Sequence, residues 1–144
     1  MTIKYCSWLT GDDTTGTGTA ANPYKTITKA SDTLKVALSS AANAPSASAD
    51  VKLADITTID TTNLDSVTLT VSSSSQTSGT YKLVVADKTL TATGAVPAFR
   101  YVIVYNDTAT NKELICWFDY GSEVTLASGD TFKLDFGTEL FSLA

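Results

Sequence analysis

Hydrophobic and polar positions alternate with a period of two along much of the chain. Val67-Thr-Leu-Thr-Val71 puts apolar residues on one side and threonines on the other, as a half-buried strand does. Tyr81, Leu83 and Val85 line one face of the next strand, after a polar stretch, Ser72–Gly79, that reads as a turn. Phe99–Tyr105 (FRYVIVY) is apolar on both faces, which predicts a central strand covered on each side. Leu114–Tyr120 (LICWFDY) repeats that density, and Asn106–Glu113 between them predicts a hairpin. Val124–Leu126 leads through the turn Ser128-Gly129-Asp130 into a second strict alternation, Phe132-Lys-Leu-Asp-Phe136. Phe141 and Leu143 predict a short last strand.

The first third is less regular. Ile27, Ala30, Leu34, Ala37 and Leu38 fit helical spacing, whereas Leu34, Val36 and Leu38 alternate as a strand would. The scarcity of strong helix formers around Asp32–Ser39 favours strand. Ser39–Asp50 (SSAANAPSASAD) reads as a flexible loop of small residues around Pro45. Gly11–Pro23 is turn chemistry throughout, with glycines, Asp12, Asp13 and Asn22 and no apolar face. It lies between two short apolar stretches, Ile3–Leu9 and Tyr24–Ile27, each an expected anchoring strand. The chain therefore divides into an N-terminal arm, residues 1–30, and a β domain, residues 31–144. Seven to nine strands at roughly 8–12-residue spacing predict an antiparallel β-sandwich or jelly-roll-like domain.

Composition supports the all-β expectation and narrows the chemistry. The 144 residues hold 25 Thr and 15 Ser, suited to strands and turns, and carry only 17% charged residues. There is no His, which excludes a Ser-His-Asp triad, a Cys-His dyad and any His-ligated metal. A net charge of −5 with Arg100 as the one arginine argues against binding phosphate backbones, so no nucleic-acid partner is expected. No apolar run approaches bilayer length and Met1–Thr10 lacks a signal-peptide core, so no membrane partner is expected and the chain is expected to be made in a cytoplasm. In that compartment Cys6 and Cys116 are expected as reduced thiols that serve as small hydrophobes.

Other candidate chemistry is weighed against ordinary structural roles. Asp119, Glu123 and Asp135 could converge as glycosidase carboxylates, but each falls where alternation or a turn already calls for a polar residue. Asp12 and Asp13 could face a hard cation, yet the loop lacks EF-hand spacing and no metal is expected. Gly16-Thr-Gly18 lacks the further glycine and the lysine of a phosphate loop, so no cofactor is expected either. Lys82, Lys133, Asn106 and Asp119 offer an isopeptide bond in principle, although strand lysines normally face water. Trp8, Tyr24, Trp117 and Tyr120 could stack on sugars, with Trp117 the one expected in the core.

Two stretches carry a resemblance. Leu9–Lys29 (LTGDDTTGTGTAANPYKTITK) is similar to the segment that precedes the first coil of pectate-lyase-like and phage tailspike β-helices. The coils do not follow, so the polysaccharide-cleaving activity of those proteins is not carried over. Thr33–Ala144 resembles small virion proteins of tailed bacteriophages. The residues that carry it are TLKVAL (Thr33–Leu38), LADIT (Leu53–Thr57), the block Tyr81–Thr108 and the block Trp117–Phe136. That resemblance implies a capsid-associated β-sandwich without enzymatic residues, a decoration or cement protein that clamps neighbouring major capsid protein subunits. It further implies a homo-oligomer, dimer or trimer, on the outer capsid surface of the virion, where modest contacts gain avidity by repetition. Trp8, Asp12, Asp13, Tyr24 and Pro45 are the expected capsid or partner contacts. A tail, fibre or baseplate component and a carbohydrate-binding module are the alternative expectations.

Overall fold

A computed structural model describes residues 2–6 and 32–143, and among these the fold is all-β and antiparallel. The nine strands are β1 (Thr2–Cys6), β2 (Leu34–Ser39), β3 (Val71–Thr77), β4 (Thr80–Val85) and β5 (Lys88–Thr91), then β6 (Val96–Asn106), β7 (Leu114–Leu126), β8 (Thr131–Leu134) and β9 (Phe141–Leu143). The main sheet has the order β1-β7-β6-β2, and two smaller sheets, β3-β4-β9 and β5-β8, form the opposing layer. The Leu34–Ser39 ambiguity resolves as strand, in full register with β6 from Leu34 opposite Asn106 to Ser39 opposite Tyr101. Of the expected arm, only Thr2–Cys6 is described, and it pairs with β7 as an anchoring strand would.

The core lies between the layers. Val36 and Leu38 of β2, Phe99, Val102 and Val104 of β6, and Phe118 of β7 meet Leu83 and Val85 of β4, Leu90 of β5 and Leu134 of β8. On the other face of the main sheet, Ala37, Ile103, Tyr105, Leu114 and Trp117 form a second cluster. Ile56 and Leu53 cover it from a short 3₁₀ turn, Leu53–Asp55. Leu53 N–H donates to Lys112 O (2.9 Å) at one end of this crossing, and Ile59 N–H donates to Leu38 O (2.8 Å) at the other. The two-sided apolar pattern of FRYVIVY and LICWFDY thus has its cause: β6 and β7 occupy the middle of the sheet and are packed on both faces. A bulge at Ile115, where Val104 opposes Cys116 and Tyr105 opposes Leu114, lets both Ile115 and Cys116 join the main core.

Three expectations need correction. Ser72–Gly79 is not a turn: Val71–Thr77 is strand β3, and only Ser78-Gly79 turns the chain, with φ of 50° and 88°. Positive φ at both central residues is the two-residue hairpin geometry that matches strand twist, and glycine takes it without strain. Val67–Val71 alternates as expected, but it meets β2 through one bridge, Lys35 to Thr68, with Val36 N–H to Val67 O and Leu69 N–H to Leu34 O (2.9 Å each). Leu114–Tyr120 and Val124–Leu126 are one strand, β7, bulged between Asp119 and Val124. Lys88–Thr91, too short and threonine-rich to stand out, is strand β5.

Ser39 is fully buried at the end of β2, and its hydroxyl has no hydrogen-bond partner among the described residues. A buried hydroxyl without a partner has lost its water and gained nothing. Ser39→Ala is therefore expected to raise stability by about 1 kcal/mol, read as a higher urea midpoint at unchanged slope. A fall of that size instead would show that the hydroxyl is bonded after all.

Candidate functional site

Among the sequence-derived contact residues, Trp8, Asp12, Asp13 and Tyr24 lie outside the described residues, as do Gly11–Pro23 and Tyr24–Ile27. Pro45 is described and half-buried. The loop around it is held by hydrogen bonds, where the sequence predicts a flexible excursion. Ser40 caps the 3₁₀ turn Ala41–Asn43, accepting Asn43 N–H at its carbonyl and Asn43 Nδ2 at its hydroxyl (3.1 Å each). Beyond Pro45, Ser46 N–H donates to Asp50 Oδ2 (2.6 Å) and Asp50 N–H returns to Ser46 O (3.0 Å). One further bond ties the loop to the main sheet: Ala41 N–H donates to Glu123 Oε1 at 3.1 Å.

Glu123 belongs to the most irregular part of β7. Between the pairs Tyr101–Asp119 and Phe99–Val124, β6 advances two residues while β7 advances five, so Tyr120–Glu123 bulge outward. Asp119 organises the bulge. Its Oδ1 accepts Arg100 Nε and Gly121 N–H (2.8 Å each), and its Oδ2 accepts Arg100 Nη2 (3.0 Å). Gly121 sits at φ 95°, a conformation open to glycine at little cost. The Arg100 guanidinium also lies 5.4 Å from the Tyr101 ring centre. The Asp119 carboxylate beside it holds this guanidinium more firmly in its charged form. Tyr120 is half-exposed, with its ring edge-on to Phe132 at 5.3 Å. The described candidate surface is therefore a pinned bulge, Tyr120–Glu123, with the Pro45 loop tied to it.

At the end of the β6–β7 hairpin a second cluster fastens the loop 107–112 to the start of β2. Asp107 pairs with Lys35 (2.7 Å) and Lys112 (3.0 Å), and Asn106 Nδ2 donates to Asp32 Oδ2 (2.8 Å). Lys35 first, then Lys112, hold the Asp107 carboxyl below its ordinary range, and Asp107 in turn raises Lys35. Burial, with the Asp107 charge adding to it, pushes the Tyr105 phenol up.

These contacts account for the remaining sequence candidates. Asp119, Glu123 and Asp135 each have partners within the chain: Asp119 binds Arg100, Glu123 accepts Ala41 N–H, and Asp135 accepts Gly137 N–H (3.0 Å) and pairs with Lys133 (3.7 Å). The lysines among the isopeptide candidates are likewise engaged in ion pairs. Lys82 pairs with Glu139 (2.8 Å) and Lys133 with Asp87 (3.0 Å). Trp117 is buried in the second core cluster, as expected. Among the described residues no three His, Cys, Asp or Glu side chains gather as a metal site, and no helix is long and apolar enough to cross a membrane. Sequence reasoning missed the bulge because Tyr120-Gly-Ser-Glu123 reads as a gap between two strands, and only the pairing with β6 shows one strand. No protein-family model matches the chain, and no curated protein or solved structure matches it.

Proposed function

We propose that this chain is a structural protein of a tailed-bacteriophage particle, a decoration protein that seats on the outer capsid surface and bridges major capsid subunits. What supports the reading is where the virion-like blocks fall. TLKVAL covers all of β2 but its last residue, LADIT is the cover over the second core cluster, Tyr81–Thr108 spans β4 to β6, and Trp117–Phe136 spans most of β7 and β8. The resemblance thus falls on the framework of the sandwich and on its cover, and it extends over both layers.

The physical character of the surface is consistent with that role. Most of the described basic side chains are paired within the chain, in the Lys35–Asp107–Lys112, Lys82–Glu139, Arg100–Asp119 and Lys133–Asp87 pairs. Outward among the described residues are hydroxyl-rich strand, acidic side chains such as Asp60 and Asp130, the half-exposed Tyr120 and the exposed Val51. Such a surface binds by shape and by many modest contacts, which repetition over a lattice multiplies. In this reading the contacts come from residues 1–30 and from the Pro45 loop, in a dimer or trimer.

Cryo-electron microscopy of virus particles whose genome encodes the chain tests the proposal. Copies spaced regularly over the shell are the expected result. Density at the tail would replace it with a tail or fibre role, and absence from the particle would overturn both. Deleting residues 7–30, which leaves β1 paired with β7, is expected to abolish co-sedimentation with capsids; retained binding would remove that segment from the mechanism.

A further inference from the structure

The two cysteines of the chain are more than a hundred positions apart in sequence, yet they share one rung of the main sheet. β1 and β7 run antiparallel with Thr2 opposite Asp119, Ile3 opposite Phe118, Tyr5 opposite Trp117 and Cys6 opposite Cys116. Directly opposed positions in an antiparallel ladder lie on the same face, with Cα atoms about 4.5–5.5 Å apart. Disulfides span Cα separations of about 4.4–6.8 Å, so this rung has the spacing a cross-strand bridge needs.

We propose that Cys6 and Cys116 are a redox-controlled staple, joined as an intrachain disulfide under oxidising conditions. The position explains what the staple would accomplish. β1 is a five-residue strand that, among the described residues, lies at the edge of the sheet and pairs with β7 alone. Short edge strands are the first to detach in local opening, because one ladder of backbone bonds is all that retains them. β7, by contrast, is held by β6 along its length, and Cys116 is buried in the core. The bridge therefore ties the weakest strand to one of the best-held.

The oxidant is a small-molecule disulfide such as oxidised glutathione. One cysteine, as thiolate, attacks the glutathione disulfide and expels one glutathione thiolate, leaving a mixed disulfide on the protein. The second cysteine then attacks the protein sulfur of that adduct and expels the other glutathione. Two protein S–H bonds and one glutathione S–S bond are exchanged for one protein S–S bond and two glutathione S–H bonds. Two electrons pass from protein to glutathione. The pairing does not depend on the particle role proposed above.

The test uses the full chain, folded, incubated with oxidised or with reduced glutathione. Oxidation is expected to lower the intact mass by about 2 Da, with no thiol left to titrate in denaturant and a Cys6–Cys116 peptide in the non-reduced digest. The oxidised form is expected to melt on the order of 10 °C higher than the reduced form, because the bridge closes a very long loop. Cys6→Ser should lose both the mass change and the stabilisation while melting close to the reduced wild type. Two titratable thiols after oxidation, a stable glutathione adduct on one cysteine, or disulfides only between chains would each overturn the staple.

Discussion

Phe99→Ala is expected to destabilise the chain by about 3–5 kcal/mol, the usual cost of removing a fully buried ring. Phe99 has no solvent exposure and lies in β6, inside the core between the layers. Its ring stands at right angles to that of Phe132, 5.2 Å away. Phe132 in turn meets the ring of Tyr120 on the β7 bulge, so a cavity at Phe99 undermines the packing beneath the candidate surface. Domains of this size are stable by about 5–15 kcal/mol, so the loss is a large fraction of the total. Urea denaturation followed by tryptophan fluorescence reads it directly. Phe99→Leu, which retains most of the volume, should cost much less. A change under about 1 kcal/mol for the alanine variant would contradict the position of Phe99 in a tightly packed core.

The second large effect is an asymmetric dependence on pH. Asp107, Asp87 and Glu139 have their carboxyls held below the ordinary range, chiefly by Lys35, Lys133 and Lys82 respectively. Asp55, Asp60 and Asp65 are lowered too, first by the backbone N–H groups of Val51, Thr62 and Thr91. A carboxyl whose folded pKa lies below its unfolded value of about 4 binds fewer protons when folded. Its stabilisation is complete above the unfolded pKa and disappears as pH falls through the folded one. Six such groups acting in one direction predict a progressive loss of stability on acidification below about pH 4, moderated by their exposure to solvent.

The alkaline limb has the opposite origin. Lys35 and Lys133 are raised, first by their hydrogen bonds to Asp107 and Asp87, and Tyr105 is raised by burial. Their contribution is intact below their unfolded pKa values, about 10, and is lost as pH rises through the folded ones. Between the limbs there is no histidine to titrate. The urea midpoint should therefore run flat from about pH 5 to 8. A step of stability near pH 6 would contradict this account. Asp107→Asn should soften the acid limb and leave the plateau level.

How much of this was legible beforehand depends on how local the cause is. The two-sided apolar runs of β6 and β7 marked them as central because a strand buried on both faces leaves no position for polar residues. The alternations ending in Leu83–Val85 and Phe132–Leu134 were equally visible, since a pleated strand over a core imposes period two on its own sequence. β3 was hidden for the converse reason. An edge strand with hydroxyls outward, VSSSSQT, carries no apolar signal, and its serine bonds, such as Ser74 Oγ to Tyr81 OH (2.8 Å), exist only once β4 lies beside it. Asp119 was visible as a polar residue in an apolar run, but its pairing with Arg100 depends on the register of two strands.

By itself, then, the sequence determined an all-β chain, its central strands, the burial of Trp117 and the absence of imidazole chemistry, because composition and periodicity act residue by residue. Only the tertiary structure decided that Glu123 ties the Pro45 loop to the sheet, that Leu53 and Ile56 close its second face, and that Cys6 lies opposite Cys116. Each of these joins residues distant along the chain. Strand order and register, which no local pattern encodes, bring them together, and they do so through the summed packing of a core shared by every sheet.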